Sequence, residues 1–362
     1  MEPSITADPD APRPTPRPTP TPERPPFPSA PTGGRTNRPP SSPAPLPRPP
    51  FDAELEAALI ALADGNPPTV TPEMIAPMRE NPRLRVTPAE AEAAGIASRD
   101  VVIPGHAGAD VVVTVLEGRG RTGVGPGIYH LHGGGMIVGD RWSGVAGLFD
   151  WIHRYNAVAV SIEYRLAPEY PDPFPVEDCY AGLLWLHENA DSLGIDPQRV
   201  LITGASAGGG LAAGVTLLRR ERGGPPLVGQ LLMYPMLDDR DATTSTRQID
   251  GVGVWDRGSN RTGWTALLGD RRGTEDVSIY AAPARATDLS GLPPAFIDCG
   301  SAEVFRDEDV AYASAIWASG GQAELHVWPG GYHAFEGYAP QAALSQDMVE
   351  ARDRWVHRLL GD

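Results

Sequence analysis

Past residue 95 the chain alternates short apolar runs with stretches of helical periodicity, and that alternation leaves few folds open. Val101–Ile103 and Val111–Leu116 flank a turn and predict a hairpin. Short apolar runs follow at Ile128–Leu131 and Val158–Tyr164, and further strands are predicted at Val200–Thr203, Leu227–Tyr234, Ala295–Asp298 and Glu324–Val327. Helical stretches lie between and after them, at Val176–Asn189, about Ala207–Glu221 and Leu344–Leu360. Strands that alternate with helices pair in parallel, because each crossover helix returns the chain to the same end of the sheet. The predicted class is α/β, a mostly parallel central sheet flanked by helices.

Two stretches fall outside this rhythm. Residues 1–50 hold 19 of the 40 prolines, in spacing that favours extended polyproline II, and are expected to be a disordered tail. Between Leu237 and Ser290 the sequence is rich in Asp, Arg, Thr and Gly and reads as an excursion over the sheet. Helical spacing at Leu55, Leu59, Ile60 and Leu62, around Met74–Arg79 and over Pro88–Ala94 predicts short N-terminal helices.

Composition removes several chemistries. The chain has no Lys, so a Walker A loop, a pyridoxal-phosphate Schiff base and a Ser-x-x-Lys acylase are excluded. Two cysteines make neither a disulfide scaffold nor a Cys-rich zinc module. The net charge is −16, and the first 50 residues carry six Arg against four acids, leaving the remainder near −18. Such a body repels a phosphate backbone, so no nucleic-acid partner is expected. No basic segment followed by an apolar stretch opens the chain and no apolar run is long enough to span a membrane, so the expected location is cytoplasmic.

Four segments carry candidate chemistry. Val200-Leu-Ile-Thr-Gly204-Ala-Ser206-Ala207-Gly208 reads as strand, Gly-x-Ser-x-Gly, helix. A serine on so sharp a turn exposes its Oγ, and bulk at either glycine would clash. The helix N-terminus beneath favours developing negative charge. His130-Leu-His132-Gly133-Gly134-Gly135 leaves backbone N–H groups uncovered after a strand, which suits an oxyanion hole. A metal reading of His130 and His132 lacks a carboxylate or Cys at ligand spacing. His333 lies in a Gly-flanked loop just past a strand and follows the serine, as a general base would. The third triad member is an acid between them, and Asp298, Glu303, Asp307 and Glu308 are the candidates near the strand at Ala295–Asp298. A Gly-x-Gly-x-x-Gly match at Gly118–Gly123 is followed by Val124-Gly-Pro-Gly127, where no helix can start, so a dinucleotide site is not expected.

Together with Glu163-Tyr-Arg-Leu-Ala-Pro-Glu169 and Leu289-Ser-Gly-Leu-Pro-Pro294, these segments resemble the hormone-sensitive-lipase-like, HGGG-motif bacterial esterases of the α/β-hydrolase fold. The resemblance implies a serine carboxylesterase acting on short- to medium-chain esters, with no cofactor and no metal. It implies Ser206 as nucleophile and His333 as base. It also implies amides of Gly133, Gly134, Gly135 and Ala207 as the oxyanion hole. The family's acid motif, Gly-x-x-Asp-x-Leu-x-Asp-Glu, reads here Gly300-Ser-Ala-Glu303-Val-Phe-Arg-Asp307-Glu308, which implies Glu303 as the acid. The implied organisation is a tail at 1–50, cap helices at 51–95 and a catalytic domain at 96–362 that includes a cap excursion at 237–290. The rival expectation is a non-catalytic small-molecule-binding protein on the same fold.

Overall fold

The computed structural model describes residues 46–63, 67–80 and 84–361; the expected tail lies almost wholly outside them. Eight strands among these residues form one sheet: β1 (Ile96–Pro104), β2 (Asp110–Gly118), β3 (Gly125–Leu131), β4 (Val158–Glu163), β5 (Ile195–Ala205), β6 (Gly229–Met233), β7 (Ala295–Gly300) and β8 (Ala323–Trp328). Their order is β1-β2-β4-β3-β5-β6-β7-β8. The predicted hairpin is β1–β2, longer at both ends than its apolar core; β2 pairs antiparallel with β4, and all later pairings are parallel. Every residue of β3 is buried, as expected of a strand covered on both faces. Gly118–Gly123 is followed by β3, with no helix between.

The described helices are α1 (Ala53–Ala63), α2 (Ile75–Glu80), α3 (Pro88–Ala93), α4 (Phe149–Tyr155), α5 (Phe174–Glu188), α6 (Ala190–Leu193), α7 (Ala207–Arg222), α8 (Thr244–Gln248), α9 (Arg257–Leu268), α10 (Arg306–Ala318), α11 (Phe335–Tyr338) and α12 (Ala343–Leu360). Side chains alternate across the strands, so the sheet carries two cores. Val113, Val160, Ile202 and Leu232 share one with residues of α5, α7 and α10. Leu116, Ile128, Leu201 and Phe296 share the other with Trp151 and Ile152 of α4 and Trp355 and Val356 of α12.

After β3 the chain crosses to β4 on one side, then returns to place β5 on the other side of β3. The loops leaving β3 and β5 therefore diverge, and a crevice opens at their carboxyl ends. The N-terminal helices and the 237–290 excursion meet close to this end. Asp256, the N-cap of α9, accepts from Ser259 N at 2.8 Å and from Thr69 Oγ1 at 2.6 Å. Asp52 N donates to Gly330 O at 3.1 Å, which joins the start of α1 to the His333 loop. Pro47 O accepts from Gln248 Nε2 at 2.6 Å.

One buried ion pair closes the far edge. Asp178 on α5, fully buried, accepts from Arg165 Nε at 2.7 Å and Nη2 at 2.6 Å, and from the His106 amide at 2.9 Å. It links the β1–β2 turn to the segment after β4. Arg165→Met would strand a buried charge. We expect it to cost about 3–5 kcal/mol of unfolding free energy in urea denaturation. A loss below about 1 kcal/mol would put the pair on a par with an exposed one.

Candidate active site

Ser206 sits between β5 and α7 at φ 58 and ψ −121, a strained backbone for a residue with a side chain. Its N–H donates to Met233 O at 2.8 Å, and its carbonyl accepts from Gly210 and Met236 at 3.0 Å. The two motif glycines make this turn sterically possible. A Cβ on Gly204 would lie 2.3 Å from Gly208 O, and one on Gly208 would lie 2.0 Å from Leu131 O. The second contact is with β3, so the glycine also presses the serine turn against the strand that leads into the triple-glycine loop.

That loop arrives where the sequence places it. Gly133 packs against Ser206, to whose Cβ an added Cβ would come within 3.5 Å. Gly135 has φ +61, and a Cβ there would meet the Trp255 ring at 2.3 Å. Ala207 opens α7 directly after Ser206. Two of the residues expected to form an oxyanion hole, Gly133 and Ala207, thus lie beside Ser206 on two different elements.

His333 Nε2 is 3.0 Å from Ser206 Oγ, and His333 Nδ1 is 3.4 Å from Glu303 Oε2. All three side chains are buried. The His–Glu separation exceeds the usual 2.7–2.9 Å of a charge-assisted bond, and such contacts commonly tighten only when the reacting complex forms. The imidazole makes edge-type contacts with two aromatics, Tyr234 at 4.9 Å and Phe305 at 5.2 Å between ring centroids.

The other acid candidates are engaged elsewhere. Asp298 pairs with Arg352, at 2.8 Å to Nε and 3.1 Å to Nη2. Asp307 lies in the first turn of α10, yet its Oδ2 accepts from the Ser245 amide of α8 at 2.8 Å. Glu308 accepts from the Leu237 and Asp238 amides. Beyond the motif, Asp309 is fully buried beside the Cys299 thiol. Burial, reinforced by Glu303 and Glu308, pushes its pKa well up. Burial also raises Asp298 to about 6 against the pull of Arg352.

His130 and His132 do not share a ligand. His130 Nε2 donates to Ser143 O at 3.0 Å, while His132 Nδ1 donates to Gly133 O at 2.7 Å and stacks on Tyr164 at 4.1 Å. Among the described residues no three His, Cys, Asp or Glu side chains gather as a metal ion would require.

Sequence reasoning missed Arg352, Glu336, Tyr234 and Trp255. Arg352 had a signal: Met348, Arg352, Trp355 and Val356 recur at helical spacing and are all buried, so the arginine interrupts an apolar stripe.

An apolar groove of about 280 Å³ lies beside the site, lined by Phe51, Leu59, Leu62, Pro68, Val252 and Val254. Leu59 and Val254 pack in the same cluster as Ala205 and Tyr332, the neighbours of Ser206 and His333. A larger hollow of about 410 Å³ is lined by Arg79, Arg165, Glu169 and Tyr170 among others, away from the triad. Its arginines are already paired, Arg79 with Glu169 and Arg165 with Asp178.

Comparison with known proteins agrees with this geometry. The family described as alpha/beta hydrolase fold matches residues 128–337, more than half of the chain. The chain belongs to this family, among its hormone-sensitive-lipase-like carboxylic ester hydrolases. It is 38% identical over 222 residues to the carboxylesterase NlhH of Mycobacterium tuberculosis, covering 59% of this chain and 67% of that one. Among solved structures it is similar to a bacterial heroin esterase, with TM-score 0.78 and 34% identity over 86% of this chain and 98% of that one. Esterase LipW from Mycobacterium marinum has TM-score 0.76 and 30% identity, over 87% and 99%. No helix among the described residues is long and apolar enough to cross a membrane.

The buried histidines give a pH prediction. Burial lowers His130 to about 4 from an ordinary 6.5. As pH falls the unfolded chain protonates first, so the stability His130 contributes is complete above 6.5 and is lost from there toward 4. Asp298 acts oppositely, because its raised pKa lets the folded chain bind a proton first between about 6 and 3.8. Comparing a variant with wild type cancels that opposing part. His130→Gln should lose less stability than wild type between about pH 7.5 and about pH 5, by roughly 2 kcal/mol. Urea titrations at both pH values check it, and equal losses would mean that His130 is not held neutral.

Proposed function

We propose that this protein is a serine carboxylesterase in which Ser206, His333 and Glu303 act as nucleophile, general base and orienting acid. The observation that carries the reading is the 3.0 Å contact of Ser206 Oγ with His333 Nε2, made from a strained serine turn at a helix N-terminus. His333 takes the Ser206 proton as Oγ attacks the ester carbonyl. Glu303 holds the Nδ1–H tautomer and faces the imidazolium as it forms. Amides of the Gly133–Gly135 loop and of Ala207 receive the charge on the carbonyl oxygen. The imidazolium then protonates the leaving alcohol. Water, activated by the same base, attacks the acyl-enzyme, and collapse of the second tetrahedral intermediate frees the acid and restores Ser206.

The substrate is a small ester with a short- to medium-chain acyl group. Trp255 fills the space beside Gly135, and the neighbouring groove is apolar and small. The helices at 51–95 and the excursion at 237–290 serve as the cap over the site, a reading their mutual hydrogen bonds support. The carboxylesterases and esterases it resembles support ester hydrolysis.

Ser206→Ala should lower kcat by about 10⁴-fold or more, as loss of a triad nucleophile does elsewhere. It should also abolish labelling by a serine-directed phosphonate. Glu303→Gln should cost about 10²- to 10³-fold in kcat, whereas Asp307→Asn should chiefly lower the melting temperature. p-Nitrophenyl esters from acetate to laurate should show kcat/KM falling at the long end. Retention of more than about a tenth of wild-type activity by Ser206→Ala would remove the reading.

A further inference from the structure

Arg352 touches neither Ser206 nor His333 through its polar atoms, yet it joins the segments that hold them. It lies on the buried side of α12. Its guanidinium grips both oxygens of Asp298 and donates through Nη1 to Glu336 Oε1 at 2.6 Å. Glu336 Oε1 also accepts from the Tyr234 hydroxyl at 2.7 Å. Asp298 belongs to β7, which leads into the Glu303 loop. Glu336 stands three positions after His333. Tyr234 follows Met233, whose carbonyl accepts the Ser206 N–H. Its own N–H donates to Asp298 O at 2.7 Å, its φ is +37, and its ring meets the His333 imidazole at 73°.

A buried ion pair is weak support for stability, because desolvating its charges offsets much of their attraction. What a guanidinium fork supplies is direction: planar donors at fixed angles, each answered by one carboxylate oxygen. Here those angles fix Tyr234 through Glu336, and the Tyr234 ring, like that of Phe305, makes an edge-type contact with the His333 imidazole that limits its tilt.

We propose that Arg352 is a positioning residue of this esterase, which through Asp298, Glu336 and Tyr234 sets the tilt of the His333 imidazole toward Ser206. The proposal rests on the reading of His333 as general base. Arg352 meets no substrate, so its loss acts on turnover rather than on binding.

The test is kcat and KM on one p-nitrophenyl ester for Arg352→Met, Arg352→Lys, Tyr234→Phe and Ser206→Ala in the full chain, well below each melting temperature. Arg352→Met should lower kcat by about 10²-fold with KM within about twofold, the scale on which small misplacements of a reacting group act. Arg352→Lys should recover part of that loss, because it keeps the charge without the fork. Tyr234→Phe, which removes one hydroxyl and keeps the ring, should lower kcat several-fold at unchanged KM. Phosphonate labelling of Ser206 should slow in parallel. Wild-type kcat in folded Arg352→Met with only a lower melting temperature would overturn the proposal. If Arg352→Met does not fold, Tyr234→Phe decides: wild-type kcat there overturns it equally. Activity surviving in Ser206→Ala would instead overturn the reading of Ser206 and His333 on which the proposal stands.

Discussion

The close approach of Gly208 to the Leu131 carbonyl constrains the rest of the site. A Cβ at 208 would overlap the end of β3, so only glycine lets the β5–α7 turn rest there. That contact seats the strained Ser206 turn against β3, beside the triple-glycine loop that leaves it. Sheet order does the remainder. The chain leaves β3 toward one side and returns to the other, so two loops far apart in sequence end at one crevice. His333 enters from the loop after β8 and Glu303 from the loop after β7, each at the same end of a parallel strand.

Around this point the interior turns polar. The strands themselves are packed by Val, Ile and Leu, but Asp298 of β7, Glu303 of the loop after it, Glu308 and Asp309 of α10 and Arg352 of α12 are all buried polar groups. Desolvation sorts these acids. Burial and the neighbouring Glu303 and Glu308 push Asp309 well up, whereas Glu336 stays below its ordinary pKa, because the pull of Arg352 and Tyr234 outweighs the effect of burial. Asp298, sharing the same arginine, is instead raised to about 6. Two carboxylates on one guanidinium thus respond differently to their surroundings.

Much of this was legible in the sequence, and the omissions have physical causes. Apolar runs located β3, β4, β6 and β7 because buried parallel strands leave little room for polar side chains, whereas β8, at the sheet edge, is only half-buried and carries Glu324 and His326. β5 is longer than its run Val200–Thr203 predicts, since it begins at Ile195 and passes through Asp196, Pro197, Gln198 and Arg199 where its pairing with β3 is irregular. α9 escaped notice because two of its buried positions are Ser259 and Asn260, which blur the apolar stripe. α4 is seven residues long with no side-chain cap, so nothing marked its start. Local sequence left four acids open, and only the family motif favoured Glu303. The contact that engages Asp298 comes from Arg352, 54 residues further along, and no local pattern shows a pairing at that range.

The buried ion pairs of this chain have one more property in common. Each cation in them is a guanidinium: Arg165 with Asp178, Arg285 with Asp239, and Arg352 with Asp298 and Glu336. An ammonium in such a place could shed its proton under alkali and leave its carboxylate alone, whereas a guanidinium stays charged throughout the range in which proteins are handled. Carbonate buffers that would uncouple lysine-based pairs leave these joints intact. Amine-directed crosslinkers likewise find no lysine side chain here to modify.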